Sequence, residues 1–168
     1  SNAKQLAIEL GITPSSAGRG PATPIRNLTM KPLLALLLAA CSHWAVAGPD
    51  YQNVPPGLQK ALHGNGIKSA QMEQGVLRLQ VNKPEVSELV YATFVFHSIC
   101  GDQWRHPAQF ADYGLKRVEM LNADASQGFA FDARGDVCVQ MGQLGKNYRS
   151  FIGQYSAVCT SAGCPPLR

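Results

Sequence analysis

The side chains best suited to chemistry lie together in one stretch, from His97 to His106. His97, Cys100, Asp102 and His106 supply imidazole, thiol and carboxylate groups, which enzymes use as nucleophiles and general bases. The cluster therefore raises the hypothesis of a hydrolase or thiol enzyme. The competing interpretation is structural, with Cys100 in a disulfide bond, His97 packed against the core, and residues 102–106 in a solvated loop.

A metal centre is the next alternative. His97 and Cys100, together with Cys159 and Cys164, are of the types that bind zinc. The two pairs are far apart in the chain, and structural zinc sites usually contain more closely spaced pairs than Cys159 and Cys164. The sequence therefore favours no metal. No glycine-rich phosphate-binding motif follows a strand either, so we expect no cofactor.

The apolar segment after Met30 has the pattern of a secretory leader. Lys31 supplies a positive charge, residues 33–41 are apolar, and Ala45 and Ala47 form a small-x-small cleavage triplet. A membrane-spanning helix needs about 20 apolar residues, and this run is about half as long. We therefore expect residues 30–47 to be a signal peptide and the protein to be periplasmic or secreted.

Two processing sites compete within this leader. Cleavage after Ala47 would release a soluble chain that begins at Gly48. Residues 38–41, however, resemble the bacterial lipobox, in which the cysteine, here Cys41, is acylated and anchors the protein to a membrane. The sequence favours the soluble product and leaves a lipoprotein anchored through Cys41 as the alternative.

The leader divides the chain into three parts. Residues 1–29 begin with Ser1-Asn2-Ala3, which is typical of tag removal, and they precede the expected start at Met30, so we expect them to be disordered. Residues 48–168 have the size of a single domain. The first 47 residues carry four basic side chains and one acidic one, and so contribute +3 of the net charge of +4. The domain itself is nearly neutral, which gives no electrostatic reason to expect nucleic acid as a partner.

Four cysteines remain in residues 48–168: Cys100, Cys138, Cys159 and Cys164. An even number in an exported chain predicts two disulfide bonds, with three possible pairings. Because the loop between Cys159 and Cys164 is short and polar, we expect a local bridge there. The second bridge then joins Cys100 to Cys138.

Alternating apolar residues predict two β-hairpins. The first consists of residues 67–72 and 76–81 around a tight turn, and the second of residues 115–121 and 127–131 around a turn at 122–126. A short helix is predicted at residues 54–64, where proline stands near the start and glycine just after the end.

Two longer segments have the apolar spacing of helices. Residues 86–100 follow Pro84 and Glu85, which are typical of a helix N-terminus; β-forming residues leave a strand at 84–100 as the alternative, although the length favours a helix. Residues 145–159 form the other main helix, and Asp136 is expected to cap a short helix that carries Cys138 and Met141. The stripe expected to pack within the first helix is Val86, Leu89, Val90, Thr93, Phe94, His97 and Cys100. The predicted fold is α+β, with a four-stranded antiparallel sheet made of two hairpins and two main helices on one face.

The sequence favours recognition over catalysis. Aromatic and arginine side chains are enriched at interface hot spots, and the binding candidates are Trp104, Arg105, His106, Tyr113 and Arg149. We expect a small interaction module of the periplasm or envelope with a protein partner, such as an inhibitor, an immunity-type protein or an accessory of an envelope or secretion machine. The alternative is an exported hydrolase or thiol enzyme that uses His97, Cys100, Asp102 and His106.

Overall fold

The computed structural model describes residues 48–166 of the 168-residue chain. The upstream segment, the predicted leader and the candidate acylation site at Cys41 lie outside the described residues. Within the described part, the strands are β1 (Asp50–Gln52), β2 (Ile67–Glu73), β3 (Val76–Val81), β4 (Arg117–Leu121), β5 (Gln127–Asp132) and β6 (Ser156–Thr160). They form a six-stranded sheet in the order β1-β2-β3-β4-β5-β6.

The helices are short, and several follow one another directly. They are α1 (Pro56–Leu62), α2 (Glu88–Phe94), a π-helical segment (Val95–Cys100), α3 (Gly101–Arg105), α4 (Pro107–Asp112), α5 (Val137–Gly142) and α6 (Tyr148–Gln154), the last preceded by a 3-10 turn (Gly145–Asn147). Across residues 48–166, none of these helices is long and apolar enough to cross a membrane.

Both predicted hairpins are confirmed. The pairs β2–β3 and β4–β5 are antiparallel, and Leu77, Leu79 and Val81 of β3 are buried, as their alternation predicted. Gln74 and Gly75, which join β2 to β3, have φ values of 50° and 85°. Positive φ at both central residues characterises the type I′ turn, which matches the twist of a hairpin.

The prediction of a four-stranded antiparallel sheet is wrong in detail. The two hairpins join through β3 and β4, which are parallel, and β1 pairs parallel with β2. A parallel pair needs a long crossover connection, and residues 82–116 supply one that contains α2, α3 and α4. The sixth strand, β6, pairs antiparallel with β5 and replaces the end of the predicted helix at 145–159.

The helices and the sheet share one main core. It combines inward side chains of β2, β3, β4 and β5 with buried residues of the helices, including Leu58, Tyr91, Ile99, Met141 and Ile152. The outward side of the same strands carries a small separate cluster of Leu121, Ala130 and Cys159. Polar side chains, among them Arg78 and Glu119, occupy this outer side, which we call the open face.

Residues 88–100 are helical, as their length predicted, but the predicted packing stripe is only partly confirmed, because Val86, Phe94 and Cys100 are buried while its other members are exposed. Leu89 is 52% exposed and Val90 is 40% exposed, whereas Tyr91 and Val95 are buried. The helix begins at Glu88 because the hydroxyl of Ser87 accepts a hydrogen bond from the Val90 backbone N–H at 3.3 Å. The following π-helical segment changes the number of residues per turn, so no constant 3.6-residue period describes the buried face.

The sheet ends on one side at β6, where the C-terminal segment folds back. The backbone N–H groups of Thr160 and Gly163 each donate to the carbonyl oxygen of the other, at 3.1 and 2.8 Å. Since β5 pairs with the opposite side of β6, this bridge occupies the outer edge of β6 at Thr160.

Candidate functional site

Cys100 does not offer a free thiol. Its sulfur is bonded to that of Cys138, and Cys159 is bonded to Cys164, so both predicted disulfide pairings are confirmed. The Cys100 side chain is fully buried where the π-helical segment meets α3, and Cys138 lies in α5. The bridge therefore holds α3 and α5 together.

His97 lies away from the core, contrary to the packed position expected from the sequence. Its side chain is exposed, and its ring contacts only the edge of the neighbouring Phe96 ring, with centroids 4.9 Å apart. Cys100 is in a disulfide bond and His97 is on the surface, so these two residues have different surroundings although they are close in the sequence. In the described part of the chain, no three His, Cys, Asp or Glu side chains form a group that could hold a metal ion.

Asp102 and His106 do come together, across one turn of α3. His106 Nδ1 lies 3.1 Å from Asp102 Oδ1; the histidine side chain is 55% exposed, and the aspartate side chain is 5% exposed. With Nδ1 protonated, His106 donates to the carboxylate and keeps an unprotonated Nε2. Enzymes that use a histidine as a general base often have this arrangement, in which a buried carboxylate orients an accessible imidazole.

Tyr113 completes this polar cluster from the end of α4. Burial and the Asp102 carboxylate raise the pKa of Tyr113 from 10.0 to about 12. Its hydroxyl is close to Gly57 of α1, where an added Cβ would overlap the oxygen. Within the described residues, Tyr113 Oη and Asp102 Oδ2 are buried without a well-aligned hydrogen-bond partner. His106 and Tyr113 thus belong to one cluster, around Asp102.

The other predicted binding aromatic, Trp104, belongs to a different cluster. The Trp104 and Phe96 ring centroids are 4.9 Å apart, and those of Phe96 and Tyr148 are 4.1 Å apart. Trp104 Nε1 donates to the carbonyl oxygen of Cys138 at 2.7 Å. We call Phe96, Trp104 and Tyr148 the aromatic surface; Trp104 is 37% exposed, so its hydrogen bond fixes a ring that solvent still reaches.

Exposed cations lie near the residues of this aromatic surface in the chain. Arg105 follows Trp104 in α3, and Lys146 and Arg149 stand on either side of Tyr148 in the chain. All three side chains are exposed, and none forms an ion pair with a carboxylate among residues 48–166. Arg149 lies toward β6, where it and Glu88 line a cavity of about 190 Å³. Of the five predicted binding residues, Trp104 belongs to the aromatic surface, and Arg105 and Arg149 are chain neighbours of its members.

The sequence did not identify Phe96 and Tyr148 as members of this surface. Tyr148 has helical spacing, which predicted core packing, whereas Phe96 was outside the predicted packing stripe; both side chains are half-buried. It also gave no role to Arg78 and Glu119, which form an ion pair with N–O distance 2.8 Å on the open face. Arg78 and Glu119 lie on strands of different hairpins. Their pairing could be predicted only from the parallel register of β3 and β4, which the sequence did not indicate.

A scan against protein-family models found no matching family, and searches of curated proteins and of solved structures found no match.

Proposed function

We propose that this protein is a small exported interaction module, such as an inhibitor, an immunity-type protein or an accessory of an envelope or secretion machine. In this proposal it binds an acidic segment of a partner protein through the aromatic surface. The observation that carries the proposal is the exposed Trp104 ring, which its hydrogen bond fixes to α5. The exposed cations Arg105, Lys146 and Arg149 are near Trp104 or Tyr148 in the chain and form no ion pair within residues 48–166.

The composition of this surface fits a protein interface. Tryptophan, tyrosine and arginine are the residues that most often dominate binding energy. Holding Trp104 in place before binding reduces the entropy lost when a partner orders it. Arg105, Lys146 and Arg149 then favour a partner with acidic residues, since complementary charge raises the association rate and excludes basic competitors.

A site-specific crosslinking experiment tests this proposal. A photoreactive residue replaces Lys146, two residues before Tyr148, or the exposed Lys83 after β3 as the control, and each protein is incubated with an envelope fraction. We expect one partner to crosslink from position 146 only. Its affinity, measured with the purified partner, should fall at least about tenfold in Trp104→Ala and less in Arg105→Gln.

The Arg105→Gln variant is included because it should remain folded, since Arg105 is exposed and has no ion-pair partner in the described part of the chain. A loss of affinity in this variant therefore cannot be attributed to misfolding. The affinity should also decrease with added salt, since exposed charges are screened at a distance of about 10 Å in 0.1 M salt. Equal crosslinking from both positions, or unchanged affinity in both variants, contradicts the proposal.

The two disulfide bonds support an oxidising location such as the periplasm or the extracellular space. The proposed mature form begins at Gly48, with a lipoprotein acylated at Cys41 as the alternative. Mass spectrometry of the exported protein distinguishes the two products by their first residue and by the acyl mass.

The Asp102–His106 pair supports a second candidate, an exported hydrolase. Since Cys100 is bridged, His106 would act on water as a general base, through Nε2. His106→Gln would then abolish turnover, whereas Arg149→Gln on a different helix would not. A screen of ester, amide and phosphoester substrates with these two variants tests the candidate, and substrate turnover that His106→Gln leaves intact excludes it.

A further inference from the structure

The open face contains a second site, separate from the helices that carry the aromatic surface. Its centre is a row of residues that face one another across three strands: Gln71 of β2 pairs with Arg78 of β3, and Arg78 pairs with Glu119 of β4. These three residues help to line a cavity of about 490 Å³. That volume is within the range of small-molecule sites, about 300–1,000 Å³.

A buried carboxylate holds the central arginine in place. Glu119 is only 4% exposed, and it accepts hydrogen bonds from Arg78 Nε and from Arg117 Nε, each at 2.8 Å. Burying a carboxylate is costly unless it is paired, and two guanidinium groups meet that requirement. They also leave this set of three side chains with one net positive charge.

Arg78 is the member of this set that can bind a ligand. Its side chain is 60% exposed, whereas that of Arg117 is 15% exposed and also donates to the carbonyl oxygen of Pro165 at 2.8 Å. The Arg78 terminal nitrogens make no hydrogen bond within residues 48–166. A guanidinium oriented through Nε presents these nitrogens in the planar geometry that matches a carboxylate.

Glu73 supplies an opposite charge in the same cavity. It is exposed, it lines the cavity, and it forms no ion pair with a described residue. Because Glu73 pairs with Val76 while Arg78 pairs with Gln71, Glu73 and Arg78 are diagonal neighbours across β2 and β3. Diagonal neighbours are about 7–8 Å apart.

We propose that this cavity binds a short peptide with both termini free, a dipeptide being the smallest form. The C-terminal carboxylate binds Arg78, and the N-terminal ammonium group binds Glu73. Two extended residues span at most about 7 Å, a length comparable with the backbone separation of the two strand positions from which these side chains extend. A simple anion fits less well because Glu73 repels it, and the opposed charges favour a ligand that carries both.

Titration with three related peptides, followed by NMR of the backbone amides, tests the proposal. The probes are glycylglycine, N-acetylglycylglycine and glycylglycinamide, which have both termini free, a blocked amine, or a blocked carboxylate. We expect saturable shifts confined to β2, β3 and β4 with glycylglycine, and much weaker binding of both blocked peptides.

Three variants test which charged side chain binds each end of the peptide. Arg78→Gln should weaken glycylglycine binding at least about tenfold, and Arg78→Lys should lose part of it because the charge remains without the planar fork. Glu73→Gln should weaken glycylglycine but strengthen N-acetylglycylglycine, because the carboxylate that repels an anion is removed. Since Glu73 is exposed, this variant is expected to remain folded. Lys60→Gln, which removes an exposed cation of α1 instead, is the control and should bind normally.

The proposal is overturned if no probe gives saturable shifts in β2, β3 and β4, if the blocked peptides bind as tightly as glycylglycine, or if Arg78→Gln binds normally. Because these measurements use purified protein without the macromolecular partner, their failure does not affect the proposed role of the aromatic surface.

Discussion

Removing the Cys100–Cys138 bridge gives a prediction whose size follows from loop length. The bridge spans 38 residues, whereas the Cys159–Cys164 bridge spans 5. In the chain-entropy model, closing these loops stabilises the folded state by about 4 and about 2 kcal/mol respectively. The double variants Cys100→Ala/Cys138→Ala and Cys159→Ala/Cys164→Ala should therefore differ by about 2 kcal/mol in their free energy of unfolding.

The two double variants control for each other, because each removes two sulfur atoms and at least one fully buried cysteine. Urea unfolding followed by tryptophan fluorescence measures the difference, since Trp104 lies beside the first bridge and donates to the Cys138 carbonyl. At a urea m-value of about 2 kcal/mol per molar, the midpoints should be about 1 M apart. The reasoning is refuted if the first variant is no less stable than the second.

Four further substitutions test individual positions. Gly128→Ala should lower the free energy of unfolding by about 1–3 kcal/mol, because a Cβ there would overlap the Met120 carbonyl oxygen and lie 2.9 Å from Leu121 Cα. Gly153→Ala in α6 is the control: its Cβ would meet nothing within 4 Å, so the change should be neutral or stabilising by up to about 1 kcal/mol. Asn122→Ala should cost about 1–3 kcal/mol in thermal or urea unfolding, because the buried amide donates to Pro84 O and accepts from the Ser126 N–H, both at 2.9 Å. Tyr113 has a folded pKa raised from 10.0 to about 12, so its contribution to stability is complete below pH 10.0 and is lost as the pH rises toward 12; unfolding measured along that range should show a smaller loss in Tyr113→Phe than in the native chain.

Local signals predicted the hairpins well because each hairpin is encoded by neighbouring residues. The turn at Gln74 and Gly75 and the alternation of Leu77, Leu79 and Val81 together determine both the register and the buried face. The order of the hairpins in the sheet is a different matter. It depends on whether β4 runs parallel or antiparallel to β3 after the helical crossover. No local sequence pattern determines that direction.

The helical errors have two physical causes. In residues 86–100 ten of the fifteen positions are apolar, so a 3.6-residue pattern selects a face only weakly, and the π-helical segment then alters the period. At Ser156–Thr160, the side chains have helical spacing, but pairing with β5 places them in a strand. In both segments, tertiary contacts outweigh local preference.

The candidate site was only partly accessible to sequence reasoning for a similar reason. Asp102 and His106 are one helical turn apart, so a helix through Arg105 is enough to bring them together. The surface around Trp104 instead needs α6 to place Tyr148 against Phe96, and the open-face site needs two hairpins to lie side by side. Contacts between distant segments were therefore the part that the chain pattern did not predict.

The fold-back of the C-terminal segment on β6 bears on whether this edge of the sheet can pair with a strand of another chain. An uncovered edge strand is a template for pairing with another chain, and Val158 on this edge is 60% exposed. Because Gly163 already occupies the outer backbone groups of Thr160, an incoming strand finds only a short open edge. The Cys159–Cys164 bridge keeps that fold-back closed. Reducing this bridge would release the fold-back and lengthen the unpaired edge of β6. We therefore expect the reduced protein to aggregate more readily than the oxidised one.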